Sequence, residues 1–101
     1  MNIELDSSKV YTFKLNSGEE MIAKVIGHNS SWIEIQDPVS VAPGPQGLGL
    51  VPSMFTGDIK TSIRLNISSV AFYALTEDGV RMKYIEATTG IQVPEKKLIL
   101  G

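Results

Sequence analysis

The stretch FKLNSGEEMIAKVIGHNSSWIEIQDP, residues 13–38, contains three short runs in which apolar and polar residues alternate, separated by two polar turns. A period of two is typical of a β-strand with one buried face. In the first run, which begins slightly earlier, Tyr11, Phe13 and Leu15 share one face. Gly18 lies in the first turn, and the second turn is rich in Asn and Ser, which tolerate turn backbones. We therefore expect the first half of a small, strongly bent β-barrel.

The composition is that of one soluble globular domain. The chain has 101 residues, of which 43% are hydrophobic and 20% charged, well outside the range of disordered proteins. A domain of this size has a modest core, so association with further copies would bury additional apolar area. The chain contains no cysteine, which excludes disulfides, thiolate metal sites and thiol nucleophiles. The first residues lack a secretory signal pattern, and no apolar run reaches membrane-spanning length, so we expect a cytoplasmic protein without membrane contact.

The charge argues against nucleic-acid binding through bulk electrostatics. The formal net charge is -2, and the only arginines are Arg64 and Arg81. Neutralising many phosphates needs a concentration of Lys and Arg, so any contact with nucleic acid must be local.

The middle of the chain, residues 38–58, holds four prolines and four glycines and is called the Pro/Gly arm below. The segment Pro43–Pro45 cannot lie in a central strand, because proline lacks a ladder donor and glycine weakens strand pairing. Apolar residues flank it on both sides. This pattern predicts a protruding hairpin that contacts either a partner or its own barrel.

Strand patterns continue on both sides of the arm. The third strand is predicted at Trp32–Gln36, a fourth from Thr61 to Ile67 and a fifth at Val70–Leu75, where nearly every residue is apolar. Such a run is typical of a strand buried on both faces or paired across a subunit boundary. Five antiparallel strands without crossover helices predict a barrel over about residues 9–75.

A short helix is predicted after the last strand. Thr76, Glu77 and Asp78 suit a helix start, and apolar residues recur at helical spacing until Thr89. The alternative is a strand over Val80–Tyr84, because apolar and basic residues also alternate there. Residues 76–101 thus form a helix and an apolar tail within the single domain.

Together these features resemble the Sm-like family of small barrels, which includes the bacterial host factor Q and the spliceosomal Sm proteins. The resemblance covers about residues 10–75. Its first motif is carried by an apolar-x-Leu-x-x-Gly pattern with apolar strands after it, here Phe13, Leu15, Gly18, Ala23, Val25, Ile33 and Ile35. Its second motif is similar to residues 63–70, and the Pro/Gly arm is most similar to Sm-like proteins of bacteriophage.

The resemblance implies a ring of identical subunits, about five to seven, in which one subunit's fourth strand pairs with the fifth strand of the next. The implied interface residues are Ile63, Leu65, Val70, Phe72 and Ala74. It also implies a single-stranded RNA site where two turns meet at the inner rim, formed by His28, Asn29, Trp32, Arg64, Asn66 and Ser68. An aromatic face stacks on bases, and amides, hydroxyls and arginine bind base edges and phosphate.

Three of the implied RNA-site residues also have a purely structural interpretation. Trp32 either stacks on a base or covers one end of the barrel. Arg64 either binds phosphate or forms an ion pair on a solvated face. His28, the only histidine, lies in a polar turn, which is typical of a surface group.

No pattern indicates catalysis, a cofactor or a metal, since there is no phosphate-binding loop, ligand cluster or activated nucleophile. The sequence therefore favours a non-enzymatic, RNA-binding ring. The alternative is a structural ring that holds a protein partner through the arm or the tail.

Overall fold

The computed structural model describes residues 4–89. Within that range the protein is a six-stranded antiparallel sheet followed by one helix. The elements are β1 (Val10–Leu15), β2 (Glu20–His28), β3 (Trp32–Gly44), β4 (Gly47–Pro52), β5 (Ile63–Asn66), a 3₁₀ turn (Ile67–Ser69), β6 (Val70–Leu75) and α1 (Asp78–Thr89).

The order of strands along the sheet is β4-β3-β2-β1-β6, and β5 pairs with the other half of β3. The long strand β3 thus has β2 on one edge and both β4 and β5 on the other. The 3₁₀ turn carries the chain from β5, on β3, to β6, on β1. Across residues 4–89, no ladder joins β5 to β6. The expected strongly bent barrel is therefore not formed within the single chain, because the sheet is neither closed nor strongly curled.

The main core lies on one face of the sheet. It contains the alternating apolar residues of β1, β2 and β3, together with residues of the 3₁₀ turn and β6. Those of β1 were predicted to share one face. Phe13, Val25 and Ile33 are completely buried. Tyr11, Phe13 and Tyr73 form an aromatic group with ring centroids 6.2–6.4 Å apart.

The third strand does not end at Gln36, as predicted, but continues to Gly44. A β-bulge lies at Asp37 and Pro38, as the register with β2 shows by moving from Lys24↔Gln36 to Ile22↔Val39. Asp37 has a positive φ of 52°, and its N–H donates to the carbonyl of Ile59 instead of the ladder. The bulge tolerates a proline that lacks a donor, which is why the strand pattern continues beyond it.

The Pro/Gly arm forms the predicted hairpin, and its second strand, β4, is the one that the sequence did not predict. β3 and β4 pair from Val39↔Pro52 to Gly44↔Gly47, across a two-residue turn. Pro43 lies in β3 beyond the last pairing with β2, so it occupies no central position. The predicted count of five strands was therefore wrong, because the arm adds an edge strand to the sheet.

The strand β6 was expected to be either buried on both faces or paired across a subunit boundary, and in the single chain it is not buried on both faces. Val70 is buried, whereas Phe72 is 66% exposed and Leu75 57% exposed. Residues 68 and 69, which separate the fourth and fifth predicted strands, lie in the 3₁₀ turn.

The predicted helix is confirmed as α1, and the alternative strand over Val80–Tyr84 is wrong. Glu77 caps the helix, since its carboxylate accepts from the N–H of Val80 and its carbonyl from the N–H of Arg81. Thr76 is buried and bonds instead to the hydroxyl of Thr12 at 2.9 Å.

The helix packs on the second face of the sheet. Its one buried residue, Tyr84, joins Val10, Ile22 and Val39 in a second apolar cluster. The tail predicted to follow the helix lies outside the described residues. Within the part of the chain that the structure describes, no helix has the length and apolar character needed to span a membrane.

Candidate nucleic-acid interface

The 3₁₀ turn between β5 and β6 is the centre of the candidate site. Asn66 precedes it with an extended backbone, and its Oδ1 accepts hydrogen bonds from the N–H of Ser68 at 3.1 Å and from the Ser68 hydroxyl at 2.9 Å. This arrangement is a side-chain cap. Asn66 and Ser68, both predicted to contact RNA, therefore also fix the turn.

The turn between β2 and β3 meets this 3₁₀ turn, as the resemblance implies. The N–H of Ile67 donates to the carbonyl of Ser31 at 3.1 Å. Asn29 closes its own turn, because its Oδ1 accepts from the N–H groups of Ser31 and Trp32 at 2.8 and 3.0 Å. Asn29 and Trp32 are thus brought next to the start of the 3₁₀ turn.

Arg64 and Trp32 form a direct contact across the β3–β5 pair. The guanidinium carbon of Arg64 lies 4.3 Å from the centroid of the Trp32 ring, a distance at which cation–π attraction is significant. The register Trp32↔Asn66 and Glu34↔Arg64 places all four side chains on the face opposite Ile33 and Leu65. We call Asn29, Trp32, Arg64, Asn66 and Ser68 the corner surface.

The charge of Arg64 is not neutralised by a close carboxylate in the described structure. Glu34 is its cross-strand partner, yet no ion pair joins the two among residues 4–89. The other arginine, Arg81, lies 3.5 Å from Asp78 on α1. Arg64, which is exposed, can therefore meet an anion or a base while resting on Trp32.

In the corner surface the hydrogen-bond acceptors of the two Asn side chains are used within the fold, whereas their amide donors remain available to a ligand. Among the described residues, hydrogen bonds use the Oδ1 atoms of Asn29 and Asn66 but not their Nδ2 atoms. The Ser68 hydroxyl is turned toward Asn66. With the Arg64 guanidinium, the surface is rich in donors, which suits phosphate oxygens and carbonyl groups of bases.

His28 is the one predicted site residue that the structure separates from the others. It pairs with Ile33, so it lies on the face that Ile33 and Leu65 line, opposite the corner surface. The bulge between Val25 and Gly27 causes this, because it changes which residues of β2 face each side.

The predicted interface residues lie in two different environments. Ile63 and Leu65 are partly buried against the main core, and Val70 belongs to that core. Phe72 and Ala74 are exposed on β6. In the register with β1 they lie opposite Lys14 and Thr12.

Two residues at this end of the sheet were not predicted. Asn16 donates from Nδ2 to the carbonyl of Ser68 at 2.6 Å, and its N–H donates to the carbonyl of Ser69 at 2.8 Å. Glu34 lies opposite Arg64 and adds a negative charge to the same face. The Asn-Ser-Gly turn marked Asn16 as a turn residue, but its long-range partner depends on the fold.

Residues 4–89 contain no cluster of three His, Cys, Asp or Glu side chains that could hold a metal ion. The chain matches no known protein-family model and no curated protein.

Proposed function

We propose that this protein is an Sm-like subunit that assembles head to tail into a ring and binds single-stranded RNA through the corner surface. The observation that carries the proposal is the position of the 3₁₀ turn, which links a strand on β3 to a strand on β1. The two predicted strands on either side of this turn are thus separated on the sheet, and the resemblance implies that they pair between neighbouring subunits. The hydrogen bonds from Ile67 to Ser31 and from Asn16 to Ser69 hold both ends of the 3₁₀ turn against turns that flank β2.

Two strand edges support the ring. Within residues 4–89, β5 pairs only with β3 and β6 only with β1, so each has a second edge without a strand partner. Such edges promote pairing with another chain. Pairing β5 of one subunit with β6 of the next is a heterologous contact, which closes into a ring when the rotation permits. It would also cover Phe72, an aromatic side chain that costs free energy to leave in water.

The corner surface supports RNA over duplex DNA as the ligand. An aromatic ring with a stacked guanidinium and solvent-facing amide donors suits splayed bases and single phosphates. A ring would repeat Arg64 once per subunit, and this repetition would compensate for the low affinity of a single site.

The oligomeric state is tested by native mass spectrometry and light scattering at micromolar concentration. We expect one closed species of about five to seven copies. Phe72→Asp should shift the mass toward the single chain, because it places a charge beside the free edge of β6. Met82→Asp is the matched control, since Met82 is similarly exposed at 59% but lies on α1. A wild-type protein of 11.0 kDa in solution would overturn the ring.

RNA binding is tested by fluorescence anisotropy with labelled U-rich and A-rich oligonucleotides at low salt. Arg64→Ala should weaken binding at least about tenfold, because it removes both a charge and a stacking partner. Arg81→Ala is the control, as it removes the same charge elsewhere. Equal affinities of the two variants, or no binding by the wild type, would exclude RNA at the corner surface.

A protein-binding ring is the second candidate, and exposed apolar side chains favour it. Phe55 is 85% exposed in the part of the arm that follows β4, and Leu48 and Val51 of β4 are exposed by 58% and 43%. Apolar groups of this size are common at protein interfaces. If Phe55→Ser abolishes capture of a specific protein while the ring mass and RNA affinity are unchanged, protein binding uses this separate surface.

A further inference from the structure

A groove of about 290 Å³ separates the Pro/Gly arm from the first half of α1. It is lined by Leu48 and Leu50 of β4 and by Glu77, Gly79, Val80 and Lys83 at the start of the helix. Leu50 and Val80 are half-buried against the second apolar cluster, whereas Leu48 is largely exposed. The groove is therefore apolar at its base, with one acidic and one basic residue among those that line it.

The chain itself contains a segment whose chemistry matches this groove. Residues 95–100 read EKKLIL, so three large apolar residues follow one acidic and two basic residues. Leu98, Ile99 and Leu100 can fill an apolar groove that a single side chain would not. Glu95 can pair with Lys83, and Lys96 or Lys97 with Glu77, so each charge beside the groove meets an opposite one.

The segment is also within reach. From Val80 to Thr89, α1 extends about 14 Å at 1.5 Å per residue. The nine residues from Thr89 to Leu98 can span up to about 30 Å at 3.3 Å per residue. The chain after α1 is thus long enough to turn back along the helix and bring Leu98 to the groove.

The second cavity near α1 fits this segment less well. It also has three apolar lining residues, but they share the cavity with two hydroxyl-bearing residues and with Lys9, Arg81 and Asp78. The two cations outnumber the one carboxylate and would repel Lys96 and Lys97, whereas the acidic and the basic residue beside the groove balance. The exposed residues of β6 have a different proposed occupant, the β5 edge of the next subunit.

We propose that Leu98–Leu100 of the same chain bind in the groove between β4 and α1. The segment then covers Leu48 and joins the arm to the helix. The groove is a binding site for a short apolar segment preceded by basic residues, and the chain supplies that segment itself. This contact does not depend on RNA or on the ring.

The absence of cysteine from the chain permits a direct test. A disulfide requires Cα atoms within about 7 Å, so its stability in a glutathione redox buffer measures how often two positions meet. In Leu48→Cys/Ile99→Cys we expect an intrachain disulfide whose effective concentration is at least ten times that of Phe55→Cys/Ile99→Cys. The control is stringent because the loop that carries Phe55 is also close to the end of α1. Lys60, which follows in this loop, donates a hydrogen bond to the carbonyl of Thr88.

Two further results decide the proposal. Adding Leu98→Asp to the Leu48→Cys/Ile99→Cys chain should lower its effective concentration about tenfold, because the charge opposes burial in the groove. This variant changes no residue of the sheet or of α1, so the fold is retained. Equal effective concentrations at positions 48 and 55, no response to Leu98→Asp, or mainly interchain dimers on non-reducing gels would each overturn it.

Discussion

The hydroxyl of Tyr84 donates a hydrogen bond to the backbone carbonyl of Asp37 at 2.8 Å. The bond joins the only buried residue of α1 to the bulge in β3, where Asp37 has a positive φ. The same hydroxyl lies 3.2 Å from the carbonyl of Gln36. One side chain thus holds the helix on the sheet and also satisfies carbonyls that the bulge removes from regular pairing.

Tyr84→Phe should lower the free energy of unfolding by about 1–2 kcal/mol, because it removes the donor while retaining the ring. Tyr84→Ala should cost about 3–5 kcal/mol, since it also leaves a cavity in the second apolar cluster. Urea denaturation followed by circular dichroism measures both. Equal costs would show that the hydroxyl contributes nothing and that only the ring stabilises the helix.

Alkaline pH should destabilise the protein through the same residue. Burial raises the pKa of Tyr84 far above its ordinary value, and the nearby Asp37 carboxylate raises it further. In the unfolded chain a tyrosine ionises near pH 10. Above that pH the unfolded state binds fewer protons than the folded state, so the stability from Tyr84 is lost by up to about 1.4 kcal/mol per pH unit.

The measurement is the difference in unfolding free energy between wild type and Tyr84→Phe across pH 7–11.5. This difference should be constant below pH 10 and should decrease above it. A difference that stays constant throughout would mean that Tyr84 ionises equally in both states.

Lys60→Met should destabilise the attachment of α1. The Nζ atom of Lys60 lies 2.9 Å from Asp37 Oδ1 and donates to the carbonyl of Thr88 at 2.6 Å. Asp37 Oδ1 is buried and has no hydrogen-bond partner among the described residues. Its contact with Lys60 Nζ is therefore an ion pair without hydrogen-bond geometry. We expect a loss of about 1–2 kcal/mol, because the variant leaves this carboxylate without its cation.

Lys83→Met is the comparison for Lys60→Met, since it removes the same charge from an exposed position on α1. Its effect on thermal stability should be within about 0.5 kcal/mol of zero. Similar effects of the two variants would show that net charge, rather than the contacts of Lys60, accounts for the change.

Asn66→Ala should lower the free energy of local unfolding of the 3₁₀ turn by about 1 kcal/mol, because it removes the acceptor for the N–H and hydroxyl of Ser68. Hydrogen exchange at Ser68 should accelerate about fivefold, which corresponds to that free energy. Asn66→Asp retains the acceptor and should preserve the protection. If Asn66→Ala leaves the exchange rate unchanged, backbone contacts alone maintain the turn.

Much of the sheet could be predicted because one face of each strand is buried. The alternation in β1 and β2 placed Phe13 and Val25 on the core side, as the structure confirms. The extent of β3 could not be predicted, because Asp37 and Pro38 read locally as a strand end. The bulge is held there by partners that are distant in the sequence, among them Ile59, Lys60 and Tyr84.

The candidate site followed from the resemblance rather than from strand patterns. It implied that Asn29, Asn66 and Ser68 lie where two turns meet, and the two turns are joined in the structure. The separation of His28 from Arg64 depends on a register shift in β2, and no pattern in the sequence marks that shift.

Local patterns were enough to predict the class of secondary structure, the turns, the helix after β6 and the absence of thiol chemistry, because propensity and periodicity act over a few residues. Which strands are neighbours, where β3 bulges and which side of the sheet each polar group faces became known from the fold alone. Those features depend on contacts between residues far apart in the chain, such as Trp32 with Arg64 and Asp37 with Lys60. Register fixes such contacts, and a shift of one residue transfers a side chain to the opposite face.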